Sequence, residues 1–201
     1  MSIYALKPRF QSLLRPLTAA LARAGVTANQ VTLAACAVSL AIAIFIAWRS
    51  EDRWPFLLVP LWMFLRMAFN AIDGMLAREF GQKSRLGAYL NELTDVISDS
   101  ALYLPFALVA PFSLWSVGAV VLLAAISEYA GVLGLMVGAT RRYDGPMGKS
   151  DRAFVFGALG LWIGIAPSLP GWAAYIMPVA AAALVLTIVN RVRRGLAEGK
   201  P

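Results

Sequence analysis

Asn70 and Asp73 stand three residues apart, and Asn91, Asp95 and Asp99 repeat at four-residue spacing. Side chains at those spacings share a helix face, so each set forms a polar stripe. Arg66 and Ala77 extend the first stripe by a turn each way, and Glu92 lies one position off the second. Carboxylate and amide oxygens are hard ligands suited to Mg²⁺ or Mn²⁺, above all where phosphates complete the shell. Gly74 and Ala77 leave a bare patch beside Asp73, where a nucleotide can approach the backbone closely. Arg78 would then face a pyrophosphate. Spacing alone leaves three readings open: metal–phosphate chemistry, ion or proton translocation, and structural pairing of buried charges. Arg66 most simply pairs with Glu128.

These stripes must be carried by membrane helices. The chain has 201 residues, 60% of them hydrophobic and only 14% charged. A hydrocarbon core of roughly 30 Å takes about 20 apolar helical residues to cross. Six stretches qualify as candidates: 28–48, 54–78, 86–110, 113–139, 151–167 and 171–191. The expected fold is therefore an all-α integral membrane bundle of six transmembrane helices, a single domain over 1–201 with a tail at 192–201. Residues 1–25 alternate basic and apolar groups around Pro8 and Pro16, as in an amphipathic helix lying in the interface. No small-residue cleavage pattern marks that stretch as a signal peptide. Thr27 or Asn29 is placed to cap the first spanning helix. Gly81 breaks the connection between the second and third spans. The two are expected to run antiparallel, with their stripes face to face near one end.

Composition removes several chemistries. There is no His, which excludes Ser-His-Asp and Cys-His catalysis and His-ligated zinc. Cys36 is alone and reads as a small core residue, so no disulfide or cysteine metal site forms within the chain. Whatever chemistry occurs runs on carboxylates, amides, hydroxyls, Lys and Arg.

The net charge of +7 is distributed by topology. Lys7, Arg9, Arg15, Arg23, Arg78, Lys83, Arg85, Arg141, Arg142, Lys149, Arg152, Arg191, Arg193, Arg194 and Lys200 fall on one side of the expected bundle. Arg49 and Arg53 alone fall on the other, offset by Glu51 and Asp52. The positive-inside rule then puts both termini in the cytoplasm, with anionic lipid headgroups rather than nucleic acid beside the basic groups.

The run Asp73-Gly74-x-x-Ala77-Arg78, eight residues, Gly87-x-x-x-Asn91-x-x-x-Asp95 resembles the signature of the CDP-alcohol phosphotransferases (CDP-alcohol phosphatidyltransferases). That signature reads Asp-x-x-Asp-Gly-x-x-Ala-Arg, about eight residues, then Gly-x-x-x-Asp-x-x-x-Asp. The "TANQVT" at 27–32 also looks like the family's Asn-containing motif ahead of the first helix. The resemblance implies six transmembrane helices behind an amphipathic segment, which covers the whole chain. It implies a phospholipid-biosynthesis enzyme that transfers a phosphatidyl group from CDP-diacylglycerol to a small alcohol and releases CMP. Carried across, Asp73 is a metal ligand and Asp95 both a ligand and the base that deprotonates the acceptor hydroxyl. Asn29, Asp73, Gly74, Ala77, Arg78, Ser84 and Gly87 line the CDP site. Asn70 and Asn91 stand where the family has Asp, so each keeps an oxygen for Mg²⁺ or Mn²⁺ and loses a charge. Asp99, one turn beyond Asp95, could restore one of those charges as a further ligand. One or two ions are compatible with that set.

The connection "RRYDGPMGKSDRAF" gathers Arg141, Arg142, Lys149 and Arg152 around Gly145-Pro146 and Gly148. A positive turn beside the stripes suits a phosphorylated acceptor, and the family resemblance implies that Arg141, Lys149 and Arg152 bind it. The expected location is the inner (cytoplasmic) membrane of a bacterium, and the resemblance also raises a homodimer. Two other functions stay in view. One is a lipid- or nucleotide-binding protein built on a weak or dead homologue, motivated by Asn70 and Asn91. The other is an ion or solute transporter, which would show internal repeats that this sequence lacks.

Overall fold

A computed structural model describes residues 3–199, with side chains from Phe10 onward. The ends of the expected interfacial segment and tail, 1–2 and 200–201, lie outside the described residues, as do the side chains of Lys7 and Arg9. The described chain is helical, with no strand among those residues. α1 spans Ile3–Arg23, α2 Ala28–Trp48, α3 Leu58–Glu79, α4 Arg85–Tyr103, α5 Leu114–Leu133, α6 Lys149–Ile165 and α7 Ile176–Glu198. Short 3-10 turns at Trp54–Leu57, Leu104–Leu108, Gly134–Val137 and Gly171–Tyr175 extend α3, α4, α5 and α7.

Four stretches are long and apolar enough to cross a membrane: Ala28–Trp48, Trp54–Glu79, Leu114–Val137 and Gly171–Glu198. The other two expected spans form helices, but α4 carries Glu92, Asp95 and Asp99, and α6 has only 17 residues. The expected tail at 192–201 is helix as far as Glu198. Its last turns are tied to the connection before α6: Glu198 accepts from Thr140 and Arg142, and Arg194 pairs with Asp144.

Thr27 caps α2, accepting from the Gln30 N–H at 3.2 Å while Gln30 Oε1 accepts from the Thr27 N–H. That reciprocal box satisfies two of the orphan donors at the helix start. Gln82, from the α3–α4 connection, accepts from the Ala28 N–H at 2.7 Å and donates to the Val26 carbonyl. One end of the bundle is thereby closed around the start of α2, the end of α3 and the start of α4.

α2 is the element between α3 and α4. It packs closely on both, whereas α3 and α4 meet chiefly through side chains. Its buried positions include Ala28, Ala35, Cys36, Ser39 and Ala43, and small side chains let neighbouring helix backbones approach closely in lipid. A buried hydrogen bond from Trp62 Nε1 to Ser39 Oγ, 2.8 Å, fixes α3 against α2. The expected α3–α4 pairing is made through the side chain of Arg66, which reaches Asp95 and Asp99, while the two helices pack their backbones on α2. The apolar core sits towards the other end. There Phe156 stacks on Tyr103 with centroids 3.7 Å apart and meets Phe106 edge-on at 5.1 Å. Gly160 of α6 completes the fit to α3, since a Cβ there would come within 2.9 Å of the Phe56 carbonyl oxygen.

α1 is not isolated on the surface. Leu14, Leu21 and Ala22 pack with Val26, Ala28, Val31, Ile72 and Leu76. Arg15 donates to Glu79 at 3.0 Å, while Leu13 and Leu17 stay exposed.

Candidate active site

Asp73 lies six residues before the end of α3 and is buried. Its Oδ2 accepts from Thr32 Oγ1 of α2 at 2.8 Å. Among the described residues no Lys or Arg forms an ion pair with it. α3, α4 and α6 converge nearby, where Arg66 of α3 and Lys149 of α6 both pair with Asp95 of α4. Thr32 is a site residue that family spacing does not mark. The signal was its position three residues beyond Asn29, on the same face of α2.

Asp95 is held from two sides. Arg66 Nη2 donates to its Oδ1 at 3.1 Å, and Lys149 Nζ lies 2.5 Å from its Oδ2. Lys149 is the first residue of α6, set by a turn in which Asp151 accepts from the Gly148 N–H at 2.9 Å. Asp95 is partly open, with 22% of its side chain exposed, and so is Lys149 at 34%.

The nucleotide candidates also come together. Asn29 is not the cap of α2. Its Oδ1 points at Gly87, where a Cβ would come within 2.8 Å of that oxygen. Ser84 caps α4 by accepting from the Gly87 N–H at 2.9 Å. The Arg78 guanidinium folds back over Gly74, where a Cβ would meet Nη2 at 2.7 Å. At Gly87 a side chain would press on Asn29 and Ser84, whereas at Gly74 only the mobile end of Arg78 would have to move. Ala77 is half-buried beside them on α3. Asn70 is half-buried and Asn91 exposed, and neither amide hydrogen-bonds to the protein among the described residues.

Three expectations change here. Asp99 is not an open ligand: Arg66 Nη1 holds its Oδ1, and Arg152 Nη2 holds its Oδ2 at 3.1 Å. Arg66 accordingly pairs with Asp99 and Asp95 and not with Glu128. The Glu128 carboxylate is taken by Arg152 at 2.9 Å, Arg141 at 3.0 Å and Arg191 at 3.4 Å. Arg152, expected at the acceptor phosphate, has 1% of its side chain exposed and serves this buried network instead. The physical cause is common to all three. Charges inside a membrane bundle persist when each finds opposite partners, and one ring of them here joins α3, α4, α5, α6 and α7.

Arg141 remains partly open, at 18%. It pairs with Glu92 at 2.6 Å and lies over the Tyr143 ring at 4.3 Å. Burial works against its charge, but the Glu92 hydrogen bond, with Tyr143 and Glu128, holds the guanidinium above its ordinary value. Its Nε and Nη1 are buried and have no hydrogen-bond partner among the described residues.

The CDP-alcohol phosphatidyltransferase family model matches residues 25–189. The chain belongs to the CDP-alcohol phosphatidyltransferase family. The inner membrane protein YnbA of Escherichia coli K12 is 45% identical over 193 residues, covering 96% of both chains. The phosphatidylinositol phosphate synthase of Mycolicibacterium smegmatis is 29% identical over 195 residues, covering 91% of this chain and 83% of that one. Among solved structures, the Mycobacterium tuberculosis phosphatidylinositol phosphate synthase with CDP-DAG bound superposes with a TM-score of 0.74, at 23% identity over 90% of this chain and 92% of that one. The same enzyme in complex with manganese and citrate gives 0.73 at 22% identity, over 90% and 87%. At those identities the likeness is one of fold.

A divalent cation, the ion implied for this family, fits part of the donor set. Asp73 supplies a buried carboxylate without a cationic partner, and the oxygens of Asn70 and Asn91 are unclaimed. Among the described residues no three Asp, Glu, His or Cys side chains converge on one point. A six-oxygen shell must therefore draw on amides, water and the phosphates of a ligand.

Proposed function

We propose that this protein transfers a phosphatidyl group from CDP-diacylglycerol to a small phosphorylated alcohol in phospholipid synthesis, releasing CMP. One observation carries the reading: Lys149 of α6 and Arg66 of α3 both hold Asp95 of α4, while Asp73, buried on α3 and bonded by Thr32, has no cationic partner among the described residues. Membership of the family supports the same chemistry.

In this reading Gly74 and Gly87 admit the nucleotide, with Asn29, Ala77 and Ser84 lining it and Arg78 turning from Gly74 to the diphosphate. Mg²⁺ or Mn²⁺ at Asp73, when bound, offsets the charge of that diphosphate. The acceptor hydroxyl attacks the phosphorus next to diacylglycerol, the bond to the CMP oxygen breaks, and the hydroxyl proton passes to Asp95. Arg66 fixes Asp95 through Oδ1 and leaves Oδ2 on the side of Lys149. Arg141, with two buried nitrogens that lack a hydrogen-bond partner among the described residues, is the natural anchor for an acceptor phosphate, and Lys149 adds positive charge beside it. Arg152 and Asp99 act behind these groups, holding α6 and α4 together.

The protein is placed in the inner membrane of a bacterium, as the name of the Escherichia coli relative supports. All six helices after α1 cross in a single domain, both termini are cytoplasmic, and a homodimer is the expected assembly. The site then opens at the cytoplasmic face, where soluble CMP departs and the acyl chains remain in lipid.

The test is release of CMP from CDP-diacylglycerol by purified protein with Mg²⁺ or Mn²⁺ and a panel of phosphorylated and unphosphorylated polyols. Turnover with a phosphorylated acceptor supports the assignment. Tight CDP-diacylglycerol binding without CMP release for any acceptor would turn it into a lipid- or nucleotide-binding protein.

A further inference from the structure

Among the described residues, the carboxylates that α3, α4 and α5 bring to the site are matched by cations of the chain, with one exception, while the exposed Asp151 of α6 only accepts from the Gly148 N–H. Asp95 has Arg66 and Lys149, Asp99 has Arg66 and Arg152, and Glu92 has Arg141. Glu128 has Arg141, Arg152 and Arg191. Asp73 is the exception: it is buried, and Thr32 is the side chain that hydrogen-bonds to it. Asn70 and Asn91 bring oxygens and no charge.

Resting on the function proposed above, we infer that this site takes a single divalent cation, at Asp73, and that the Lys149 ammonium on Asp95 supplies the second positive charge facing the nucleotide diphosphate. A divalent ion at Asp73 meets one negative charge from the protein. The surplus positive charge is what a diphosphate neutralises, so ion and nucleotide bind with mutual help. A second divalent ion against Asp95 would have to displace Lys149 Nζ from 2.5 Å and sit beside the guanidinium of Arg66. Like charges at that separation in a partly buried place repel strongly. The turn at Gly148 and Asp151 sets the backbone from which Lys149 reaches Asp95.

This assigns Lys149 a role set by Asn70 and Asn91. With fewer carboxylates on α3 and α4, an internal monovalent cation balances what remains. The acceptor is then met by Arg141 first, and Lys149 lies between the acceptor and the diphosphate.

Mn²⁺ titration of the purified full chain, followed by electron paramagnetic resonance with and without CDP, tests the inference. The expected result is one Mn²⁺ per chain with an isolated-ion spectrum, and affinity at least about tenfold higher with CDP present. The combined variant Asn70→Asp, Asn91→Asp, Lys149→Met should take up a second Mn²⁺ and show spin coupling between the two ions. Two coupled ions in the unaltered chain with CDP overturn the inference, as does a folded triple variant that still binds one. The unaltered chain alone decides the stoichiometry if the variant does not fold. Absence of Mn²⁺ binding also overturns it, and CMP release measured on the same sample shows whether the transferase reading falls with it.

Discussion

Lys149 at the start of α6 and Asp95 in the middle of α4 are joined by an ion pair of 2.5 Å, while Arg66 of α3 holds the other oxygen of the same carboxylate. Three helices therefore meet on one side chain, and that side chain is the proposed base. Its position is fixed before any substrate arrives, which is how a proton acceptor is kept within reach of a hydroxyl.

Asp95→Asn keeps the shape and removes the proton acceptor. The expected outcome is a loss of CMP release by about 10²–10⁴-fold, with CDP-diacylglycerol affinity changed by less than about threefold. Turnover assays paired with equilibrium binding check it. Loss of nucleotide binding in this variant would speak against the base assignment.

Arg66 compensates Asp95 and Asp99 together, and only 5% of its side chain is exposed. Arg66→Met leaves buried charge short of a partner and is expected to destabilise the bundle by about 3–5 kcal/mol. Arg66→Lys should recover part of that loss. Thermal or denaturant unfolding in detergent measures both. A Met variant as stable as the parent would show that the network is dispensable.

Gly87→Ala places a methyl 2.8 Å from Asn29 Oδ1. The amide must turn away from the proposed nucleotide position, and CDP affinity should fall roughly tenfold, about 1.4 kcal/mol. Calorimetry with CDP and Mn²⁺ reads the change, with global stability followed on the same sample. An unaltered affinity would place the nucleotide elsewhere.

Much of this site was legible in advance. The apolar runs gave α2 and α3 almost to the residue, and the spacing of Asp73, Gly74, Ala77, Arg78, Gly87 and Asp95 identified the family. Pairing was harder to read. Helical periodicity says that Asp99 shares a face with Asp95, but nothing local says that Arg152, 53 residues away, holds it. Glu128 looked like the partner of Arg66 because both are charges in apolar helices. Three other arginines reach it first. The end of α7 was invisible for a similar reason, since residues 192–198 look like a charged tail until Asp144, Thr140 and Arg142 are found beside them.

Asp144, in the connection before α6, joins that connection to α7. Burial opposes its charge, yet the Arg142 hydrogen bond and the charges of Arg142 and Arg194 hold its carboxyl below the usual carboxylate range. A depressed carboxylate pKa contributes stability above its unfolded-state value, about 3.9, and loses it as pH falls through the folded value. Asp144→Asn should therefore lower the melting temperature at neutral pH, and the gap from the parent should close in acid. A gap that does not depend on pH would mean that the carboxylate charge is not what ties α7 down.

The measurement that bears most directly on the site is anomalous scattering from Mn²⁺ in crystals grown with CDP-diacylglycerol. The expected map has a manganese peak within bonding distance of the Asp73 carboxylate, the diphosphate against that ion, and Lys149 still on Asp95. A nucleotide bound away from Asp73 and Asp95, or a manganese peak that the Asp73 carboxylate does not touch, would contradict it.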